Sequence, residues 1–318
     1  MNKNDLNAFC DLIKSADKIN IFMHYNPDID AIGTASALAV MIRENFGRDS
    51  VCVYDGKLPF ATQWVPDGVR ILHSRDAEAA DLAIAVDLNT TDRMGDRGKK
   101  IFAAAKTRIK IDHHIGDEQI AEINFNDDTA AASAQILFEI ARVADWKISH
   151  DAADCMYAGL FDDTGGFAWV NDARPLDVAA ELVRLGAHPR LITERVTKQR
   201  RENMTANVGI LENAEFLFDG RLAITQIRTA DYQFLDDGGY MALNQLRNVA
   251  GVEIVAVMKQ IKENHVHVSL RSNDNFTVNG IAEQFGGGGH AHAAAFTMMD
   301  TLDVARNTVV AAMTDVFK

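Results

Sequence analysis

Imidazoles and carboxylates recur in this sequence directly after apolar runs. His24, Asp28 and Asp30 fall in one short turn; Asp87 ends a second run; Asp112, His113 and His114 follow a third; Asp162 and Asp163 close a longer apolar-rich stretch. The first turn carries no Lys or Arg. Two carboxylates about 4 Å apart repel by roughly 4 kcal/mol at an effective dielectric of 20, so a positive group must offset them. A divalent cation is the leading candidate. Carboxylates and imidazoles without thiolates suit Mn, Mg, Fe or Zn, and oxygen-rich sets lean to Mg and Mn. There are more donors than one ion takes. Two ions about 3.5–4 Å apart, bridged by one carboxylate, would use them, and such a pair clamps a phosphoryl group and generates hydroxide for in-line attack. The reaction class is hydrolysis of a phosphoester or phosphoanhydride.

Each residue alone says little. A lone Asp at a strand end more often caps a helix, and a lone His is more often a hydrogen-bonded surface or core residue. His73, His150, His188, His265 and His267 are read that way.

The elements that must position the clusters are legible from hydrophobic patterning. Ile19–Met23, Val51–Tyr54, Asp81–Val86 and Arg108–Ile111 read as buried strands, with helices over 33–46, from a cap at Asp128-Thr129 through Ile140, and over 151–161. Strands alternating with helices predict a parallel sheet with right-handed crossovers. Carboxyl ends of parallel strands share one edge, where open α/β folds place ligands. The stretch from Pro175 to Met204 reads as helical and rich in charge, with a solvated face as the plainer account and a surface that steers anions as the functional one. Beyond it, Asp219-Gly220 predicts a hairpin. Strands at 253–258 and 265–271, then a Gly286–Gly289 run and a last helix over 302–317, predict a second α+β domain with largely antiparallel strands. The predicted organisation is α/β: a parallel-sheet domain over 1–186, a helical linker over 187–207 and a smaller α+β domain over 208–318.

The chain has 318 residues, 47% hydrophobic and 24% charged, which fits a globular protein of two domains. A net charge of -13 disfavours a protein that coats long duplex nucleic acid, because such binding rests on Lys and Arg neutralising phosphates; a short phosphorylated substrate remains compatible. Cys10, Cys52 and Cys155 are few, odd in number and widely spaced, as in a reduced, cytoplasmic chain. The first helix lacks the basic start and unbroken apolar core of a signal peptide, and no run of about 18 apolar residues suggests a membrane span.

Taken in order, His24-x-x-Pro-Asp28-x-Asp30-Ala-x-Gly33, Asp87 with Arg93-x-Gly95, Asp112-His113-His114 and Asp163-Thr-Gly resemble the four-motif signature of the DHH phosphoesterase superfamily. Gly286-Gly-Gly-Gly-His290-x-x-Ala293-Ala294, preceded by Arg271, resembles the signature of the DHHA1 domain. Length and domain order are most similar to the nanoRNase/pAp-phosphatase (NrnA-like) group. The resemblance implies one ion on His24, Asp28 and Asp87 and a second on Asp30, Asp87, His113 and Asp163. Asp163 is preferred to Asp162 because it directly precedes Thr-Gly. Manganese is the leading ion, with magnesium, iron(II) and cobalt as alternatives. The resemblance further implies that His114 binds phosphate or passes a proton to the leaving oxygen, that Asp112 orients an imidazole, and that Arg271, Gly286–Gly289 and His290 hold a terminal phosphate. The implied partners are short single-stranded oligoribonucleotides or small nucleotides, without long duplex nucleic acid or membrane, and compatible with a homodimer. Departures lie after the paired alanines, where the family has Gly and here Ala295 is followed by Phe296, at the added His292, and at Ile29, where a smaller residue is common. The implied activity is metal-dependent hydrolysis of nano-RNA and 3'-phosphoadenosine 5'-phosphate (pAp). The alternatives are a pApA or cyclic-dinucleotide phosphodiesterase, a pyrophosphatase or exopolyphosphatase, and a non-enzymatic nucleotide sensor.

Overall fold

The computed structural model describes residues 2–116, 118–235, 239–273 and 275–318, without the His290 side chain. The chain divides into two units, 1–198 and 199–318.

In the first unit the elements run α1 (Lys3–Ser15), β1 (Ile19–Tyr25), α2 (Ile29–Phe46), β2 (Ser50–Asp55), β3 (Arg70–His73), β4 (Leu82–Val86), α3 (Gly95–Ala103), β5 (Thr107–Asp112), β6 (Ile123–Asn126), α4 (Ser133–Val143), α5 (His150–Asp163), α6 (Arg174–Arg184) and α7 (Pro189–Val196). The six strands form one parallel sheet in the order β3-β2-β1-β4-β5-β6. Side chains alternate between its faces. Ile19, Ile21 and Met23 enter the larger core with α1, α2, α4 and α5, while Phe22 joins Val53, Ala85 and Phe102 on the other face. With both faces covered, β1 and β4 are buried throughout except for Tyr25, as a parallel sheet requires.

Two expectations need correction. β3 and β6 are additional strands, both short and at the sheet's edges. The helix expected from a cap at Asp128-Thr129 starts instead at Ser133, with no local side-chain cap; Asp127 closes a turn on Thr129. The missing cap comes from far away: Asp30 Oδ2 and Oδ1 accept from Ser133 N (2.7 Å) and Ala134 N (3.1 Å). The stretch from Pro175 to Met204 is helical as expected, in three pieces, interrupted at Gly186 (φ +104°) and restarted at Pro189.

The second unit comprises α8 (Arg201–Glu212), β7 (Glu215–Leu217), β8 (Leu222–Ile227), α9 (Thr229–Tyr232), α10 (Tyr240–Arg247), β9 (Ile254–Lys262), β10 (His265–Ser272), α11 (Asn279–Gln284), β11 (Gly288–His290), β12 (Ala293–Met298) and α12 (Leu302–Val316). Its sheet runs β11-β12-β10-β9-β8-β7, antiparallel except for the β8–β9 pair. One face packs on α11 and α12, and the other on α8 and α10.

One packing feature of the first unit reaches directly into the site. A Cβ on Gly159 of α5 would collide with the Asp30 carboxylate and come within 3.1 Å of Ala134 Cβ. Gly159→Val should therefore lower stability by about 1–3 kcal/mol and displace Asp30. A urea midpoint equal to that of the parent chain would contradict this account of the contact.

Candidate metal centre

The strand ends deliver the donors to one edge. His24 lies at the end of β1, Asp87 immediately after β4, and His113 and His114 immediately after β5. Asp28 is the N-cap of α2, Asp30 lies in its first turn, and Asp163 is the last residue of α5. Among the described residues three donor groups form, each with ligand atoms within 4.8 Å of one another: His24, Asp28 and Asp87; Asp30, Asp87, His113 and Asp163; and Asp87, His113 and His114. Asp87 belongs to all three. Its Oδ2 lies 3.6 Å from His24 Nε2 and its Oδ1 3.4 Å from His113 Nε2. Its backbone has φ +58°, a conformation costing a β-carbon-bearing residue about 1–2 kcal/mol.

Both imidazoles are oriented alike. His24 Nδ1 donates to the Tyr25 carbonyl (3.0 Å) and His113 Nδ1 to the Ala130 carbonyl (3.3 Å). A carbonyl only accepts, so each ring turns Nε2 toward the carboxylates, the arrangement found in metal-ligating histidines. His24 Nε2 is buried, 3.4 Å from Asp28 Oδ2, and makes no hydrogen bond. His113 Nε2 lies 3.1 Å from Asp163 Oδ2. An orphaned buried nitrogen between carboxylates, repeated acid–imidazole sets and the lack of thiolates fit divalent cations of the Mn or Mg type.

The carboxylates are only partly answered by the protein. Asp28 Oδ1 accepts from Ala31 N (3.0 Å), so it caps α2 while its other oxygen faces His24. Burial raises the Asp30 carboxyl well above its usual range, and Asp87 adds to this. Burial would also raise Asp87, but His113 and His24 outweigh it and hold it well below. Burial, together with Asp87 and Asp28, pushes Asp163 up to about 6 against the opposing His113. The imidazoles respond in kind. Burial would lower His24, yet Asp28 and Asp87 carry it to about 10; His113 is likewise raised, by Asp163 and Asp87.

His114 is held differently. Its Nδ1 donates to Asp112 Oδ1 (2.8 Å), and its Nε2 accepts from Arg93 Nη1 (3.0 Å). The ring therefore carries its proton toward Asp112. Asp112 is fully buried with Oδ2 unpartnered. Asp162 is in none of the donor groups; burial and then Asp28 raise it to about 7. His73, His150 and His188 are likewise outside them, each beside a carboxylate of its own: Asp55, Asp151 and Asp154. Sequence reasoning missed Ser133, whose hydroxyl donates to Asp87 Oδ1 (3.0 Å), and Thr34, whose hydroxyl donates to Asp30 (3.1 Å). A serine before an apolar run carries no signal beyond a helix start.

In the second unit, Arg271 on β10 pairs with Ala293 on β12, which pairs with His290 on β11. At about 4.8 Å per strand the two backbone positions are about 10 Å apart. The His290 side chain lies outside the described residues. Arg271 is half-buried, with Nη1 donating to the Leu270 carbonyl (2.9 Å), and burial lowers its guanidinium from the usual range. The glycine run is partly strand: Gly288 and Gly289 pair with Ala295 and Ala294. A Cβ on Gly287 would collide with Phe296 and the Ala295 carbonyl, whereas one on Gly286 or Gly288 would meet nothing. Gly287 is thus required by packing, and Gly286 and Gly288 leave open backbone.

Comparison with known proteins decides the family. A model of the DHH family's N-terminal domain matches residues 18–160, and one of the DHHA1 domain matches residues 239–318. The chain belongs to the DHH/DHHA1 phosphoesterase superfamily. It is 28% identical over 308 residues to the bifunctional oligoribonuclease and PAP phosphatase NrnA of Mycoplasma pneumoniae, covering 92% of this chain and 91% of that one. It is 23% identical to the Bacillus subtilis protein of the same name, covering 87% and 88%. An exopolyphosphatase-related protein from Bacteroides fragilis shares the fold with a TM-score of 0.89 at 22% identity, covering 99% and 97%. A manganese-bound RecJ exonuclease aligns with a TM-score of 0.53 at 13% identity, covering 98% and 92%. Among the described residues no helix is long and apolar enough to cross a membrane.

Ligating nitrogens must be deprotonated, and both imidazoles stand protonated at pH 7 without a cation. Manganese loading at pH 7 should therefore release about two protons, and apparent affinity should strengthen from pH 6 to pH 8. Calorimetry in buffers of different ionisation enthalpy reads both; heats independent of buffer, with a flat affinity, would contradict the charge state described.

Proposed function

We propose that this chain is a metal-dependent phosphodiesterase and phosphatase for very short nucleotide substrates, namely oligoribonucleotides of a few residues and pAp. The observation that carries this reading is the position of Asp87, whose two oxygens face two different imidazoles, each backed by further carboxylates. One divalent ion would be held by His24, Asp28 and Asp87, and a second by Asp30, Asp87, His113 and Asp163, with manganese the preferred metal. Such a pair supplies polarisation of phosphoryl oxygens and hydroxide at neutral pH.

The chain's own residues do the positioning. The Tyr25 and Ala130 carbonyls fix the two imidazoles. Ser133 and the α4 N-terminus fix Asp87 and Asp30. Asp112 orients the His114 ring beside Asp87. Arg271, with the backbone of Gly286–Gly289 and His290, would hold a terminal phosphate, since a guanidinium binds phosphate through two parallel hydrogen bonds. The names of the Mycoplasma and Bacillus relatives support the substrate class, and the manganese of the RecJ neighbour supports the metal. The net charge of -13 favours short substrates over long duplexes.

Asp87→Ala should abolish manganese-dependent turnover, by more than the roughly 10²–10³-fold typical of losing one stabilising group, with the fold retained by circular dichroism. Near-parental hydrolysis of pAp by that variant would overturn the assignment. Arg271→Ala should raise KM for 5'-phosphorylated substrates by about tenfold or more, the equivalent of one charge-assisted hydrogen bond, and spare a small generic phosphoester. Equal losses on both substrates would remove Arg271 from terminal-phosphate recognition.

A further inference from the structure

We propose that Arg93 is a phosphate-binding residue of the reaction centre, a contact that rests on the phosphoesterase reading and adds to it a cation supplied by the protein. Arg93 lies on the segment leaving β4, in the short 3-10 turn Thr91–Met94. The segment is pinned on both sides. Leu88 and Met94 are buried with Phe22, Val53 and Phe102. Arg97 Nε donates to the Ser74 carbonyl (3.1 Å), and the Ser74 hydroxyl donates to Asp55 at the end of β2 (2.9 Å).

The guanidinium is thereby fixed beside the acidic centre, and the centre does not consume it. Arg93 Nη1 donates to His114 Nε2 at 3.0 Å, and His114 Nδ1 lies 3.7 Å from Asp87 Oδ1, so one imidazole separates the cation from the shared carboxylate. Among the described residues the Arg93 side chain is bonded to His114 alone. A guanidinium has five N–H donors, and a single imidazole lone pair occupies one of them. The remaining fork matches two oxygens of a tetrahedral oxyanion. Carboxylates cluster nearby, yet among the described residues none pairs with the guanidinium. Its placement serves an anion that arrives, not one built into the site.

The test is binding of inorganic phosphate to the manganese-loaded full-length protein, by calorimetry, for the parent chain, Arg93→Ala and Arg93→Gln. The glutamine variant retains a donor for His114 Nε2 but no charge and no fork. Both variants should bind phosphate at least tenfold more weakly, with manganese affinity unchanged. Parental phosphate affinity in Arg93→Gln would overturn the proposal and reduce Arg93 to a support for the imidazole; this variant also decides the matter should Arg93→Ala not fold. Turnover of pAp by the parent chain is measured alongside. Its absence, with the phosphate difference intact, would strike the substrate reading and leave the Arg93 contact standing.

Discussion

Four carboxylates, from Asp28, Asp30, Asp87 and Asp163, crowd two imidazoles at one edge of a parallel sheet, and much of the first unit serves to keep them there. Each acid is answered by a different device. Asp28 is met by the first turn of α2, Asp30 by the first turn of α4, Asp87 by two histidines and a serine hydroxyl, and Asp163 by His113. Helix N-termini carry partial positive charge, so backbone amides help to stabilise two of the four acids, beside the Thr34 hydroxyl at Asp30 and His24 at Asp28. The compensation is incomplete, since the Asp30 and Asp163 carboxyls stay raised. The charge left over makes a cation a fitting occupant.

Geometry and strain meet at Asp87. With φ at +58° the chain turns as it leaves β4, and the amide of Asp87 still donates to the Ile111 carbonyl (3.0 Å). The carboxylate is thus fixed on the sheet axis between β1 and β5, where two rings reach it from opposite sides. A residue in an unfavourable backbone region persists only where its surroundings over-determine it. Here they include the sheet bond, Ser133 and both histidines.

The parts legible in the sequence were those whose signal is local. His24, Asp87 and Asp112-His113-His114 each end an apolar run, and a parallel sheet brings such ends to one edge. β3 and β6 were not legible because each is only four residues long: Arg70–His73 has a two-residue apolar centre, and the alternation of Ile123–Asn126 is too short to stand out. The start of α4 was misplaced because its cap, Asp30, lies 103 positions upstream of Ser133, beyond any local rule. Ser133 was missed for the same reason, since Asp87 lies 46 positions upstream, and Thr34, one turn from Asp30, looks like any other helix threonine. In the second unit, the hairpin turn was visible as Asp219-Gly220, but the parallel pairing of β8 with β9 was not, because the intervening α9 and α10 are too short to announce a crossover.

The donors span the chain from His24 to Asp163, and α4 must dock before Asp30 and Asp87 are held. Contacts so distant in sequence form late, after the loop-closure entropy has been met. During synthesis, a nascent chain that stops short of α5 offers incoming ions an incomplete set of donors. Of the donor groups among the described residues, only the one that takes Asp163 waits for α5; His24, Asp28 and Asp87 are together once β4 has formed, so the set matures in two stages.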